Sequence, residues 1–470
     1  MARFDPVLAD IRFGCGLSPT IASPADAAEM MTRLEGPDTI AARFEIEDFP
    51  TFGQRMLELD RIRKARGKVD KADKEAYRAI DKQYKLSRAS GRKAMKTWMW
   101  RSFMRRVHTQ DGLRERLAFF WADHFTAIGK GALLRRAHSP YVETAIRPHL
   151  TGYFADMLKS VVRAPLMLNA LDQERSMGEN SFRRAQKGAS KQSRFGLNEN
   201  FAREMLELHT LGVGGPYTQD DVRQLAELMT GLSYGRSGKF QYKRDYAEPG
   251  AETVLGKKYG GSSKARAGEV MEVFDDLAVH PATAAHLSRK LAVHFIGDMP
   301  DAGLVAHLEA RYNETGGHLG KVIQALLEHP AAWADDRPGN IKQPVDFIGS
   351  SLRALSVMPD ALDENDEKAL SQILHVPLIH MGQLWGIPLG PDGWPEDDAE
   401  WITPQRLAAR LQWALARPGR LKAKLPDPRG FVDVALGGRA SPALEFAAKA
   451  AEDRRTGIGL ILASPEFQRM

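Results

Sequence analysis

Two carboxylates and an arginine on successive helical turns are the first residues in this chain whose spacing suits chemistry. Residues 198–212 read Asn-Glu-Asn-Phe-Ala-Arg-Glu-Met-Leu-Glu-Leu-His-Thr-Leu-Gly. On a helix Asn200, Arg203, Glu204 and Glu207 share one polar face, because positions three and four apart adjoin. Such carboxylates suit an acid–base pair with separated pKa values, or part of a divalent-metal site in a helical bundle. They also suit a buried Arg203–Glu204 pair, in which Glu204→Ala would strand a guanidinium and cost about 3–5 kcal/mol. A solvated face is the third reading. Glu204 and Glu207 are the candidate catalytic carboxylates, with Arg203 and Asn200 as candidate substrate contacts. His209 falls on the other side of the helix with Ala202, Met205 and Leu206. It reads as a core or capping histidine or as a further substrate contact.

Three other groups carry possible chemistry. His124 ends an aromatic-rich stretch and is the candidate catalytic histidine, the alternative being a satisfied structural one. Asp123 beside it points elsewhere, since neighbours on a helix diverge. His286, Lys290 and His294 share a face at four-residue spacing, which is a cationic site for phosphate, sulfate or carboxylate, or ordinary surface. Asp392, Trp394 and Trp401 lie on or after a Gly/Pro-rich segment. Asp392 and Trp394 are candidate substrate contacts, as exposed tryptophans suit glycan stacking, although tryptophan also plugs cores. No Gly-x-Ser-x-Gly elbow, phosphate-binding loop, dinucleotide fingerprint or HExxH occurs in the sequence, which disfavours the corresponding enzymes. No metal ligands and no cofactor are assigned.

The elements that must position these residues are helices. Leu113, Leu117, Phe120 and Trp121 form one apolar stripe, and Phe201, Met205, Leu208 and Leu211 another. Asn198 is the expected N-cap and Gly212 the expected stop of the second. Thr218 and Asp221 form a cap-like start for a helix carrying Val222, Leu225 and Leu228. Further helices are expected at 26–34, 141–162, 265–278, 282–296, 301–314, 319–328, 344–356, 403–416 and 443–463. Leu232-Ser233-Tyr234, Phe240-Gln241-Tyr242 and Thr253-Val254-Leu255, separated by glycines, predict a small sheet or hairpin near 232–256. Residues 380–401 predict a long functional loop. The fold class is mainly α with that β insertion. The expected division is an N-terminal helical region, 1–109, and a helical core, 110–470.

Composition narrows the class. The 470 residues are 43% apolar and 27% charged, enough apolar material for a packed core. The single cysteine, Cys15, excludes an internal disulfide framework and multi-cysteine metal centres. No apolar run is long enough to span a bilayer, and the start lacks a basic-then-apolar leader, so the chain is expected to be cytoplasmic. The net charge is +6, yet residues 61–106 alone hold 17 Lys/Arg against four acids. Aromatic residues interleave those bases, so this stretch is either a polyanion contact or a solvated helix docked by its aromatics. Arg183, Arg184, Lys187, Lys191 and Arg194 form a second patch, read as a mobile surface loop or, alternatively, as an anion contact.

Several segments together resemble one family. They are the 198–212 run with Tyr217-Thr218-Gln219-Asp220-Asp221-Val222, Phe120-Trp121-Ala122-Asp123-His124-Phe125-Thr126, and Thr253-Val254-Leu255-Gly256. They continue with His280-Pro281-Ala282-Thr283, Arg289-Lys290-Leu291, Lys342-Gln343-Pro344, Gly390-Pro391-Asp392-Gly393-Trp394-Pro395 and Ala463-Ser464-Pro465-Glu466-Phe467. In this order they resemble the bacterial DUF1800 family over about 110–470. Residues 1–109 fit more loosely, with the basic stretch as an elaboration. Two positions depart from the family's pattern. Ala247-Glu248-Pro249-Gly250 stands where relatives carry His-Asp before the glycine, and Ala122 replaces the first histidine of Trp-His-x-His-Phe. An activity that required either imidazole would be lost here. The resemblance implies a mostly helical fold, no established reaction, and a partner of the DUF1501 type, itself similar to phosphatases and sulfatases. Two functions are therefore expected. One is a carboxylate/histidine-dependent enzyme for an anionic or glycan-like substrate. The other is a non-catalytic helical partner or maturation factor.

Overall fold

Apolar residues at three- and four-residue spacing produce helices along nearly the whole chain. The computed structural model describes residues 3–187, 196–261, 266–334 and 339–470. Among these, the strands form only two small antiparallel hairpins. β1 (Leu232–Tyr234) pairs with β2 (Phe240–Tyr242), and β3 (Ala251–Val254) with β4 (Lys257–Gly260). The expected single insertion is thus two hairpins, extending to 260. Thr218 caps its helix through a reciprocal bond with Asp221, as the Thr-x-x-Asp spacing requires.

Three expected helices differ. The 141–162 stretch is broken into helical turns at His138–Tyr141, Val142–Ile146 and Arg147–His149, followed by a helix only at Phe154–Arg163. Pro148 and the Thr151-Gly152 turn interrupt it, since proline supplies no amide and clashes with the preceding turn. The 443–463 stretch is two helices, Pro442–Ala450 and Arg454–Ala463, the second restarted by Asp453, whose side chain accepts from Thr456 N. The 198–212 helix is shorter, Asn200–Glu207. Asn198 sits just outside it, accepting from Asn200 N and donating to Leu171 O at 2.6 Å.

The helix Lys74–His108 is the spine of the interior. Met95 and Trp98 enter one large apolar cluster with Phe52, Leu117 and Phe154. Met99, Trp100, Phe103, Met104 and Val107 enter a second, with Phe347, Trp413 and Ile461. Residues before 110 therefore build both interiors. The first part of this helix pairs with Phe49–Lys68 as a helical hairpin in which no residue from 54 to 90 is buried. Arg66 holds the pair together, bonding the Tyr77 hydroxyl and Asp81, both at 2.8 Å, and lying over the Tyr84 ring. At the hairpin's root, Arg92 and Lys96 bind Glu367, and Arg101 binds Glu364. Of the second basic patch, Arg183 and Arg184 lie in the short helix Phe182–Lys187, while Lys191 and Arg194 lie outside the described residues. No helix among the described residues is long and apolar enough to cross a membrane.

Candidate functional site

The helix Gly112–His124 is driven inward by its aromatic stripe, so its last turn ends deep in the molecule. There Asp123 and His124 diverge, as neighbours on a helix must. His124 is buried among Trp121, Phe125 and Phe154. Its Nε2 lies 3.3 Å from the His209 carbonyl oxygen. A carbonyl only accepts, so Nε2 carries the proton and Nδ1 keeps a lone pair with no partner. His209 is fully buried behind it, 5.5 Å between ring centroids, with neither ring nitrogen bonded.

The helix Pro281–Ile296 lays His286, Lys290 and His294 against this turn. His286 donates from Nε2 to Leu208 O at 3.1 Å, and its ring lies 6.2 Å from that of His124. Gly212, at φ +86°, passes beside His286 Nδ1, where an added Cβ would stand 3.1 Å away. Burial holds all three imidazoles below their ordinary pKa, with the Lys290 charge acting in the same direction, and His209 falls to about 3. They are neutral at physiological pH. Burial also lowers Lys290, against the opposing pull of Glu396 and Asp392, joined by Asp123 only where that carboxyl is ionised.

The Gly/Pro-rich loop covers the end of this group. Trp394 N–H donates to both Asp123 oxygens, at 2.9 and 3.1 Å. Gly393, at φ +90°, permits the approach, for a Cβ there would sit 2.6 Å from Asp123 Oδ2. Burial, with Glu396 and Asp392 adding to it, raises Asp123 to about 8 despite the Trp394 bond. Asp123 therefore holds its proton near neutral pH, while the adjoining carboxyl of Glu396 is ionised. Burial of Glu396 is outweighed by His294 and then by Lys290. Arg116 donates to His294 Nε2 at 3.2 Å, so His294 donates from Nδ1 to Glu396 at 2.8 Å. Arg116 continues inward to Asp346, which Arg106 binds at 2.6 Å. Beside them, burial lowers the Lys342 ammonium to about 7. A connected set of buried charges thus runs from the histidines into the core.

The set has a wet side and a dry side. Asp392 is exposed, and Asp123, His286, Lys290 and Glu396 are half-buried, whereas His124 and His209 are enclosed. Among the described residues no three His, Cys, Asp or Glu side chains are grouped so as to hold a metal ion.

The structure does not bring the expected residues into one place. His124, His209 and Asp392 converge, but Asn200, Arg203, Glu204 and Glu207 lie on another face. Arg203 pairs with Glu207 at 3.4 Å and Glu199 at 3.7 Å, its own i+4 and i−4 neighbours, and with Gln219. The expected Arg203–Glu204 pair does not form, because adjacent residues diverge by about 100° on a helix. Burial and then Glu207 raise Glu204 to about 7, with Lys130 as its opposing cation. Asn200 is exposed. Trp394 is no stacking platform. Its indole is buried against Trp401, and it serves Asp123 through its backbone. The His286–Lys290–His294 face is only partly surface, with His294 buried and His286 and Lys290 half-buried. Arg116, Asp346, Lys342 and Glu396 escaped the sequence reading. A charged residue inside an apolar stripe, as Arg116 is, was the available signal. Ala122 lines a small cavity beside Asp123 together with His138 and Trp385, and burial lowers His138 to about 4.

Residues 12–469 match the family described as Protein of unknown function (DUF1800). The chain belongs to this family, and the match takes in most of residues 1–109 as well. Comparison with curated proteins and with solved structures gives no match.

Proposed function

We propose that the chain is an acid–base hydrolase for an anionic or glycan-like substrate, centred on Asp123, His286 and Lys290. The observation that carries this reading is the grouping of neutral imidazoles, an ammonium lowered by burial and a carboxyl raised to about 8. Such displaced ionisable groups are costly to fold and cluster where they do chemistry. Asp123, protonated near neutral pH and aimed by Trp394, donates a proton to the leaving-group oxygen. His286 Nδ1, freed by the Nε2 bond to Leu208, takes the proton from an attacking water. The water's hydroxyl joins the cleaved centre and the leaving group departs as an alcohol. Lys290 attracts the substrate's negative charge, and His124 and His209 form the dry wall behind.

The test is turnover of phosphate, sulfate and uronate esters and of glycosides by wild type, Asp123→Asn, His286→Asn, Lys290→Met and Glu207→Gln. Turnover should be lost in the first three variants and kept in the last, with a descending pH limb near 8 from Asp123. Absence of turnover with every class, or turnover that survives Asp123→Asn, overturns the reading. One observation favours the second reading, a partner for a phosphatase- or sulfatase-like DUF1501 protein. Leu389, on the loop that caps Asp123, is 90% exposed. Co-expression in which Leu389→Asp abolishes co-purification, with no turnover by the chain alone, would favour that reading.

A further inference from the structure

A second cavity, unconnected with the acid–base chemistry, lies where four segments meet. They are the first turn of Phe49–Lys68, residues 141–145, the end of Phe154–Arg163, and the β1–β2 turn. Its volume is about 510 Å³, within the range of small-molecule sites. Phe49, Tyr141, Ala145 and Ala164 are buried and line it, with Phe240 half-buried beside them. The Tyr141 hydroxyl is already spent on Phe125 O at 2.9 Å, and Thr144 Oγ1 accepts from Phe49 N at 2.8 Å. The interior is therefore chiefly apolar.

The cavity is built, not incidental. The β1–β2 turn sits directly on the helix because Gly53 has no side chain, and a Cβ there would lie 2.0 Å from Ser237 O. Gly238, at φ +69°, meets the Phe49 ring in the same way.

Charge at the cavity is of one sign. Arg163 and Lys239 line it, both exposed, and no carboxylate does. Arg163 spends its Nε on Lys159 O at 2.9 Å, leaving its terminal nitrogens. Among the described residues neither cation forms an ion pair. An apolar interior with two such cations is complementary to a molecule with an apolar body and one anionic head.

We propose that this cavity binds a medium-chain alkyl carboxylate, the chain against Phe49, Tyr141 and Phe240 and the carboxylate at Arg163 and Lys239. Calorimetric titration of the full chain with decanoate, below its micellar range, tests this beside decyl phosphate, 2-naphthoate and decylammonium. Decanoate should bind at one site and decylammonium should not. Arg163→Ala and Lys239→Ala should each weaken decanoate about fivefold, as an exposed charge contact does, and Lys82→Ala, far along the hairpin, should not. Ser160→Trp should fill the cavity and abolish binding, with circular dichroism and the melting temperature reporting that it folds. If Ser160→Trp does not fold, loss in the Arg163→Ala/Lys239→Ala double variant decides. No decanoate binding, equal binding of decylammonium, or indifference to the cation variants overturns the proposal. Preference for decyl phosphate or 2-naphthoate over decanoate overturns the alkyl-carboxylate assignment.

Discussion

Asp123→Asn should make the protein more stable, increasingly so as pH rises. The folded state moves this carboxyl from its ordinary 3.8 to about 8, chiefly by burial. At about 1.4 kcal/mol for each tenfold change, the ceiling is about 5–6 kcal/mol at alkaline pH. Asp123 keeps an edge toward solvent, so screening leaves about half of that, ~2–3 kcal/mol. Asparagine has nearly the same shape, still accepts the Trp394 N–H through its carbonyl, and carries no charge. Below about pH 4 the aspartate is protonated both folded and unfolded, so the two proteins differ little. Between pH 4 and 8 the unfolded wild type releases a proton that the folded one retains, and the wild type loses ground. Above 8 the gap is constant. Urea titrations at pH 5, 7 and 9 measure it from the shift in midpoint at constant slope. A gap that does not widen with pH, or an asparagine variant less stable at pH 9, would refute the buried-acid account of Asp123 and remove the proton donor from the proposed mechanism.

Four further outcomes are expected. Buried His209 should subtract stability increasingly from about pH 6.5 downward, against the opposite trend from Asp123, because unfolded histidine takes up a proton there while His209 resists until about 3. His209→Gln should flatten that loss in urea titrations at pH 4–7, and an unchanged slope counts against it. Asp346→Ala strands Arg106 and Arg116 in the interior and should cost about 3–5 kcal/mol, read from thermal melts. A loss below about 1 kcal/mol would mean that Asp346 is not the partner of either guanidinium. Glu204→Gln should leave stability at pH 8 unchanged or raised, since the folded state favours the protonated acid, and a large loss would restore the Arg203–Glu204 pair. Lys68, Lys71, Lys74, Arg78 and Lys82 form no ion pair among the described residues. Heparin affinity should therefore be measurable at low salt, fall linearly on a log–log plot as salt rises, and drop in a variant with these five neutralised. Salt-independent binding, or none, leaves a solvated hairpin.

Helices were legible where apolar spacing and a cap coincided, as at Thr218–Asp221. They were misjudged where a break came from backbone geometry, as at Pro148 and Gly152, because the apolar pattern continued across it. Spacing correctly grouped Glu204 with Glu207, and His286 with Lys290 and His294. It gave the apolar side of the 200–207 helix, Phe201, Met205 and Leu206, which is buried, but could not say how deeply the polar faces would lie. That depth belongs to contacts between segments far apart in sequence, such as Trp394 with Asp123 and Glu396 with His294. His124 and Asp392 drew notice by residue type alone, which could not foresee that His124 is enclosed and Asp392 exposed. Lys342 and Asp346 became distinctive only through neighbours that no local pattern reveals.

The hairpin at residues 54–90 has a mechanical consequence. From Lys74 to Ser90 the long helix, braced by Phe49–Lys68, stands clear of the buried interior for about 25 Å at 1.5 Å per residue, and no proline interrupts it before His108. The ion pairs of Arg92, Lys96 and Arg101 with Glu364 and Glu367 act as its bearing. Beyond the bearing the same rod carries Trp98 in one apolar cluster and Phe103 in the other. The arm is a cantilever rather than a tether. Its root is one continuous helix with residues packed in both apolar clusters, so a change of tilt at the tip would be felt by both.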